Sequence, residues 1–131
     1  MNICPICGCQ LDYEVGPGEI CGCCGNEFGL DDYLTKSTIL KKFCNKNQKV
    51  LYTLAPELIE SSDNEFVPTD ISWRFLRVQW IKNGCTLKYK EDTSWNIDKT
   101  IQQLQKINYN YQSLKCLIKI LNELDDEAPL V

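Results

Sequence analysis

The clearest alternation of apolar and polar positions lies near the C-terminal end. Tyr111, Leu114, Leu117, Ile118, Ile120, Leu121 and Leu124 share one broad face of a helix over about 110–124. Gln112, Lys115, Lys119, Asn122 and Glu123 take the other face, as a helix period near 3.6 requires. Ile97, Ile101, Leu104 and Ile107 mark a second stripe, with Asn96 or Asp98 as its cap and Asn108-Tyr109-Asn110 as its interruption. Leu40, Phe43 and Cys44 lie at i, i+3 and i+4, which predicts a helix over roughly 37–46 with Ser37 as a candidate cap. Asp31 and Asp32 stand ready to cap or open a helix just before it. Val50–Leu54 fits either a strand or a helix, Pro56–Ile59 a short helix, and the polar run 61–69 with Pro68 a surface loop. Thr86–Tyr89 reads as a short strand.

One predicted helix is apolar on two sides. It starts at Asp70 or Ser72 and runs to about Asn83, with Gly84 in the position that ends helices. Ile71, Phe75 and Val78 fall on one side, and Trp73, Leu76 and Trp80 on the opposite side. Such a helix is either buried between layers or keeps one face for a partner. Trp73 and Trp80, beside Arg74 and Arg77, are the residue types that dominate interfaces, so they are candidate partner contacts.

The first 35 residues follow no such pattern. They read Cys4-Pro5-Ile6-Cys7-Gly8-Cys9, a spacer, then Cys21-Gly22-Cys23-Cys24-Gly25. Each half holds C-x-x-C followed by glycine. Two residues between cysteines form a tight knuckle that brings both sulfurs to one ion at about 2.3 Å, with glycine free to take positive φ as the chain leaves. Two knuckles supply a tetrahedral set: Cys4, Cys7, Cys21 and Cys24. Zinc is the expected ion, in a structural role. Iron shares the four-sulfur geometry, and disulfides or free thiols are the bland alternative. Cys9 and Cys23 offer competing C-x-C pairs, and the trailing glycines favour the C-x-x-C choice. Leu11, Tyr13 and Val15 alternate with polar residues before Gly16-Pro17-Gly18, so a hairpin between the knuckles is expected. Cys44, Cys85 and Cys116 sit among apolar residues and read as small buried hydrophobes.

The chain has 131 residues, which makes one domain the default, divided here into a 1–35 cysteine subdomain, a 36–70 insertion and a 71–131 helical body. The expected class is small α+β, mostly α: a zinc-ribbon or knuckle hairpin followed by helices. No stretch approaches the roughly 20 apolar residues that span a membrane. No basic region followed by an apolar run opens the sequence, so a cytoplasmic location is expected. There, nine cysteines at regular spacing point to metal rather than to disulfides. The sequence contains no histidine, which removes the commonest general base and any Ser-His or Cys-His nucleophile, and a non-enzyme is expected.

Net charge is −4. Residues 1–43 carry three lysines against six acids, residues 44–90 seven basic residues against five acids, and residues 91–131 four lysines against seven acids. Acidic ends argue against nucleic acid, whose binders neutralise phosphates.

The run C-P-x-C-G, a spacer with a Pro-Gly turn, then C-x-C-C-G-x-E-F-G and Asp31-Asp32 resembles the bacterial cysteine-rich CPCC family. Leu76-Arg77-Val78-Gln79-Trp80 through Gly84 looks like that family's L-R-x-x-W-x-x-x-G helix, and Trp95-Asn96 through Gln103-Leu104 like its W-x-(x)-Q-L segment. The chain departs from the name motif at Ile6, where a cysteine is often found. Some members are encoded beside polymorphic toxins, so the resemblance implies an immunity protein that sterically covers a toxin. Acidic surface suits a basic toxin, and the candidate contacts are Glu27, Asp31, Asp32, the 36–70 insertion, Trp73, Trp80, Asp125, Asp126 and Glu127. The alternative is a zinc-ribbon adaptor or nucleic-acid accessory protein working through Lys82, Lys88 and Lys90.

Overall fold

Most of the helices begin where a short side chain satisfies an orphan amide. Thr35 Oγ1 accepts from Thr38 N and opens α1 (Lys36–Lys42), and Asn47 Oδ1 accepts from Lys49 N at 2.9 Å and opens α2 (Gln48–Leu54). Val50–Leu54, open between strand and helix on sequence grounds, is therefore helical. A single 3₁₀ turn follows at Pro56–Leu58. The long helix α3 (Thr69–Lys82) starts directly after Pro68, which caps it without a side-chain bond two residues before Asp70, the earlier of the two candidate caps. Asn96 Oδ1 accepts from Lys99 N at 3.1 Å and opens α4 (Ile97–Lys106); Asn108 at positive φ ends the turn that leads to α5 (Tyr111–Asp126). The computed structural model describes residues 2–89 and 91–126.

The stop of α3 is written in Asn83-Gly84-Cys85. Gly84 takes φ +89°, its amide bonds Ile81 O at 3.0 Å, and Cys85 N bonds Trp80 O at 2.9 Å. These two bonds are the Schellman closure that left-handed glycine permits.

The helices pack on α5, which contacts α2, α3 and α4. Ile71, Phe75, Val78 and Ile81 of α3 are buried, and on the opposite side Trp80 is buried while Trp73 and Leu76 are half-buried. Leu104 of α4 and Leu114, Ile118 and Leu121 of α5 join the same core as Ile39, Leu51 and Leu58. Asn47 ties the N-terminus of α2 to α5 by donating from Nδ2 to Leu124 O at 2.6 Å.

Strand pairing is sparse. Among the described residues the pairing consists of three isolated antiparallel bridges, Ile3 with Gln10, Ile20 with Glu27 and Thr35 with Phe66. The expected hairpin between the knuckles does not form: Gln10 and Ile20, at the ends of the spacer, each pair back within their own knuckle. The expected strand at 86–89 is likewise absent. Lys88 N and Tyr89 N instead donate to Cys23 O and Gly22 O, each at 2.9 Å, so this segment lies along the second knuckle. No helix among the described residues is long and apolar enough to cross a membrane.

Candidate metal centre

The two knuckles have the same backbone construction. In the first, Gly8 N donates to Cys4 O at 2.9 Å and Cys4 N to Cys9 O at 2.9 Å; in the second, Gly25 N donates to Cys21 O at 2.8 Å and Cys21 N to Asn26 O at 2.9 Å. Gly8 and Gly25 take φ +82° and +80°, as the C-x-x-C-G pattern predicts.

The knuckles face each other. Cys4 Sγ lies 3.8 Å from Cys24 Sγ and Cys7 Sγ 3.7 Å from Cys21 Sγ, and all four sulfurs lie within 4.8 Å of one another. A regular tetrahedron with metal–sulfur bonds of 2.3 Å has edges of about 3.8 Å. The four cysteines assigned from sequence are therefore brought together in a set able to hold one metal ion. Cys4, Cys7 and Cys21 are buried and Cys24 is half-buried.

The clustered thiols hold their protons unequally. A hydrogen bond from Cys24, and further bonds from Cys4 and Cys7, hold the Cys21 thiol far below its usual value, while the bond to Cys21 pushes Cys7 and Cys24 up. Of these three, Cys21 gives up its proton most readily, while Cys7 and Cys24 hold theirs. A divalent cation at the centre would stabilise all four thiolates at once.

Cys9 and Cys23 are buried beside the four. Cys23 is pulled down to about 4 by hydrogen bonds from Cys7, then Cys9, with Gln103 adding to them. Cys9 Sγ points to its neighbour's carbonyl, Gln10 O, at 3.5 Å. The close grouping of four takes Cys7 and Cys24, in keeping with the C-x-x-C choice.

Three parts of the helical body hold the knuckles in place, and none of them is visible in the cysteine spacing. The Arg77 guanidinium, from the middle of α3, donates to Ile6 O at 2.8 Å and Pro5 O at 2.6 Å, the two carbonyls between Cys4 and Cys7. It stacks on Tyr109 at 3.7 Å and is 4% exposed. Burial lowers its affinity for the proton, opposed by Tyr109 and by the nearby Cys4 and Cys7. Gln103, on α4, donates to Cys7 O at 3.1 Å and to Cys23 Sγ at 3.6 Å, so one amide bridges both knuckles. The third is the 88–89 backbone. Arg77 and Gln103 both fall in the segments that carry the family resemblance, which was the available signal.

Asn26 leaves the second knuckle with a side chain 5% exposed and both amide atoms without a hydrogen-bond partner. It borders a cleft of about 660 Å³, also lined by Cys24, Lys42, Gln79, Trp80 and Lys88.

The partner contacts expected from sequence separate into inside and outside. Asp32 is 3% exposed; its carboxylate accepts Gly29 N at 2.7 Å and Trp73 Nε1 at 2.8 Å. Trp80 is 6% exposed and donates to Thr86 O at 3.0 Å. Asp32 and Trp80 are thus corrected from surface contacts to internal parts, because each satisfies its polar atoms within the fold. Trp73 is half-buried and committed to Asp32. Glu27 is half-buried and Asp31 exposed, with Asp31 Oδ2 accepting Glu27 N at 2.8 Å. The side chains of Asp125 and Asp126, and the whole of Glu127, lie outside the described residues, as does Lys90. Cys44 and Cys85 are buried as expected, whereas Cys116 is exposed, on the outer face of α5. Burial pushes the Cys85 thiol up to about 11.

No protein family, curated protein or solved structure matches the chain.

Proposed function

We propose that this chain is a cytoplasmic binding protein of the immunity or antitoxin type, built on one structural zinc ion, that neutralises a basic bacterial toxin by covering its active surface. The observation that carries this reading is the closed construction of the centre. Four sulfurs within 4.8 Å of one another would fill the coordination shell of one zinc ion and leave no position for substrate. Arg77 and Gln103 lock the knuckles from behind, so the centre organises surface rather than performing chemistry. Zinc suits an all-sulfur tetrahedron in a redox-neutral role. Cysteines in paired C-x-x-C spacing fit a reducing compartment. The charge of the chain and the resemblance to the CPCC family supply the toxin.

Co-expression with the product of the adjacent gene tests this. Restored growth with a co-purifying complex is expected; no rescue together with no complex rejects it.

A second reading has its own observation. Lys42 and Lys88 line the cleft beside Cys24, and Lys82 lines a neighbouring one with Lys42. A nucleic-acid accessory protein would use this side. A steep loss of affinity for generic DNA or RNA between 50 and 200 mM salt, on the order of 10³-fold for six contacts, would favour it.

A further inference from the structure

Outside the metal centre, two exposed rings are held against each other. Tyr33 and Phe66 are 62% and 51% exposed, yet their rings stack with centroids 4.1 Å apart and planes 8° from parallel. Two exposed aromatic side chains hold one geometry only if their backbones are fixed. Here they are: Thr35 pairs with Phe66, Val67 N donates to Leu34 O at 2.9 Å, and Lys36 N donates to Glu65 O at 3.1 Å. Leu30, 61% exposed, sits in the same turn as Tyr33, whose amide bonds its carbonyl at 3.3 Å. Large apolar side chains presented this way, pre-ordered and ringed by charge, are what interface anchors are made of.

The two segments that carry the rings are mostly acidic. Residues 26–40 and 60–70 contain seven acids and one basic residue, Lys36. Lys36 does not reach the surface: it is 4% exposed, with Nζ donating to Ser61 O at 2.8 Å and lying 5.0 Å from the Tyr52 ring centroid. Asp31, Asp63 and Glu65 are exposed. A second copy of this chain would set acid against acid, and a phosphate backbone would be repelled.

We propose that the Tyr33–Phe66 stack is the anchor for an arginine side chain of a basic protein partner, with Glu65 and Asp31 as the flanking carboxylates. A guanidinium is planar and weakly hydrated. It lies flat on an aromatic face while its edge donates to carboxylates, which a lysine ammonium does not match. This rests on the binding-protein reading and names the surface through which that binding occurs.

The probes are two capped peptides, Arg-Gly-Arg-Gly-Arg and Lys-Gly-Lys-Gly-Lys, titrated into the intact zinc-loaded protein and followed by the ring resonances of Tyr33 and Phe66. The arginine peptide is expected to shift both rings and to bind about three- to tenfold more tightly than the lysine peptide. Tyr33→Ala and Phe66→Ala are expected to erase that preference, and Glu65→Lys, which leaves the rings in place, to weaken binding further. Equal affinity for the two peptides, shifts located elsewhere, or a preference that survives loss of the rings overturns the proposal. Self-association of the native chain that Tyr33→Ala abolishes overturns it too, because the rings then serve a second copy. Failure of growth rescue with the arginine preference intact removes the toxin reading alone. Rescue that succeeds while the rings prove neutral removes this surface alone.

Discussion

Arg77 Nε donates to the carbonyl oxygen of Ile6 at 2.8 Å, across 71 positions of sequence. Ile6 sits between two metal-site cysteines, so the middle of α3 holds the first knuckle in its turn. The guanidinium is also a buried cation beside a centre that would carry two net negative charges with four thiolates on one divalent ion. Replacing Arg77 with methionine removes that charge and strands the Pro5 and Ile6 carbonyls. A loss of about 2–4 kcal/mol in folding stability is expected. A fall in metal affinity of about 10–100-fold should accompany it, measured by chelator competition. Arg77→Lys, which keeps charge but loses the paired donors, should fall between the two.

Gly8 tests how closely α4 approaches. A Cβ at this position would lie 2.0 Å from the carbonyl oxygen of Gln103, which is backbone and cannot swing away. Gly18 has the same sign of φ, +85°, but nothing lies within 4 Å of its Cβ position. Gly18→Ala therefore carries only the left-handed penalty, about 1–2 kcal/mol. Gly8→Ala adds a displaced helix and a broken Gln103 bridge, and should cost about twice as much in a urea melt. Equal effects would show that α4 does not press on the knuckle.

The part of the site contained in one stretch of chain was legible in sequence, and the part assembled across the fold was not. The knuckles are local: C-x-x-C-G fixes the turn, the glycine φ and the aim of two sulfurs. Helix α5 was legible because its apolar stripe is broad and uninterrupted. Trp80 was ambiguous because a two-faced helix looks the same whether its second face meets core or partner; the Thr86 carbonyl decides it. Asp32 looked like surface because single-sequence charge does not reveal that Trp73 folds over it. The 86–89 segment has strand composition, but its amides meet the second knuckle instead of a ladder.

The Trp73–Asp32 bond gives a separate prediction. Trp73→Phe keeps the ring but leaves Asp32 Oδ2 without its donor in a buried site. Stability should drop by about 1–3 kcal/mol with metal content unchanged, as read from a denaturant midpoint and elemental analysis of the same sample.

Arg74 and Glu57 supply a pH prediction. Arg74 Nη1 donates to Glu57 Oε1 at 2.9 Å, and this bond holds the Glu57 carboxyl below its usual 4.5. A depressed carboxyl pKa stabilises the fold above the unfolded value and loses that contribution as pH falls through the folded value. The pair is solvent-exposed, so the effect on stability is small. Carboxyl NMR titration should place Glu57 below the ordinary glutamate range, and Arg74→Met should return it there.

The central claim is that Cys4, Cys7, Cys21 and Cys24 together fill the coordination shell of one zinc ion. X-ray absorption at the zinc edge on the purified protein tests it most directly. Four sulfur neighbours at about 2.3 Å, with one zinc per chain, is the predicted result. A shell containing oxygen or nitrogen in place of a sulfur, or protein that holds no stoichiometric zinc, would contradict it.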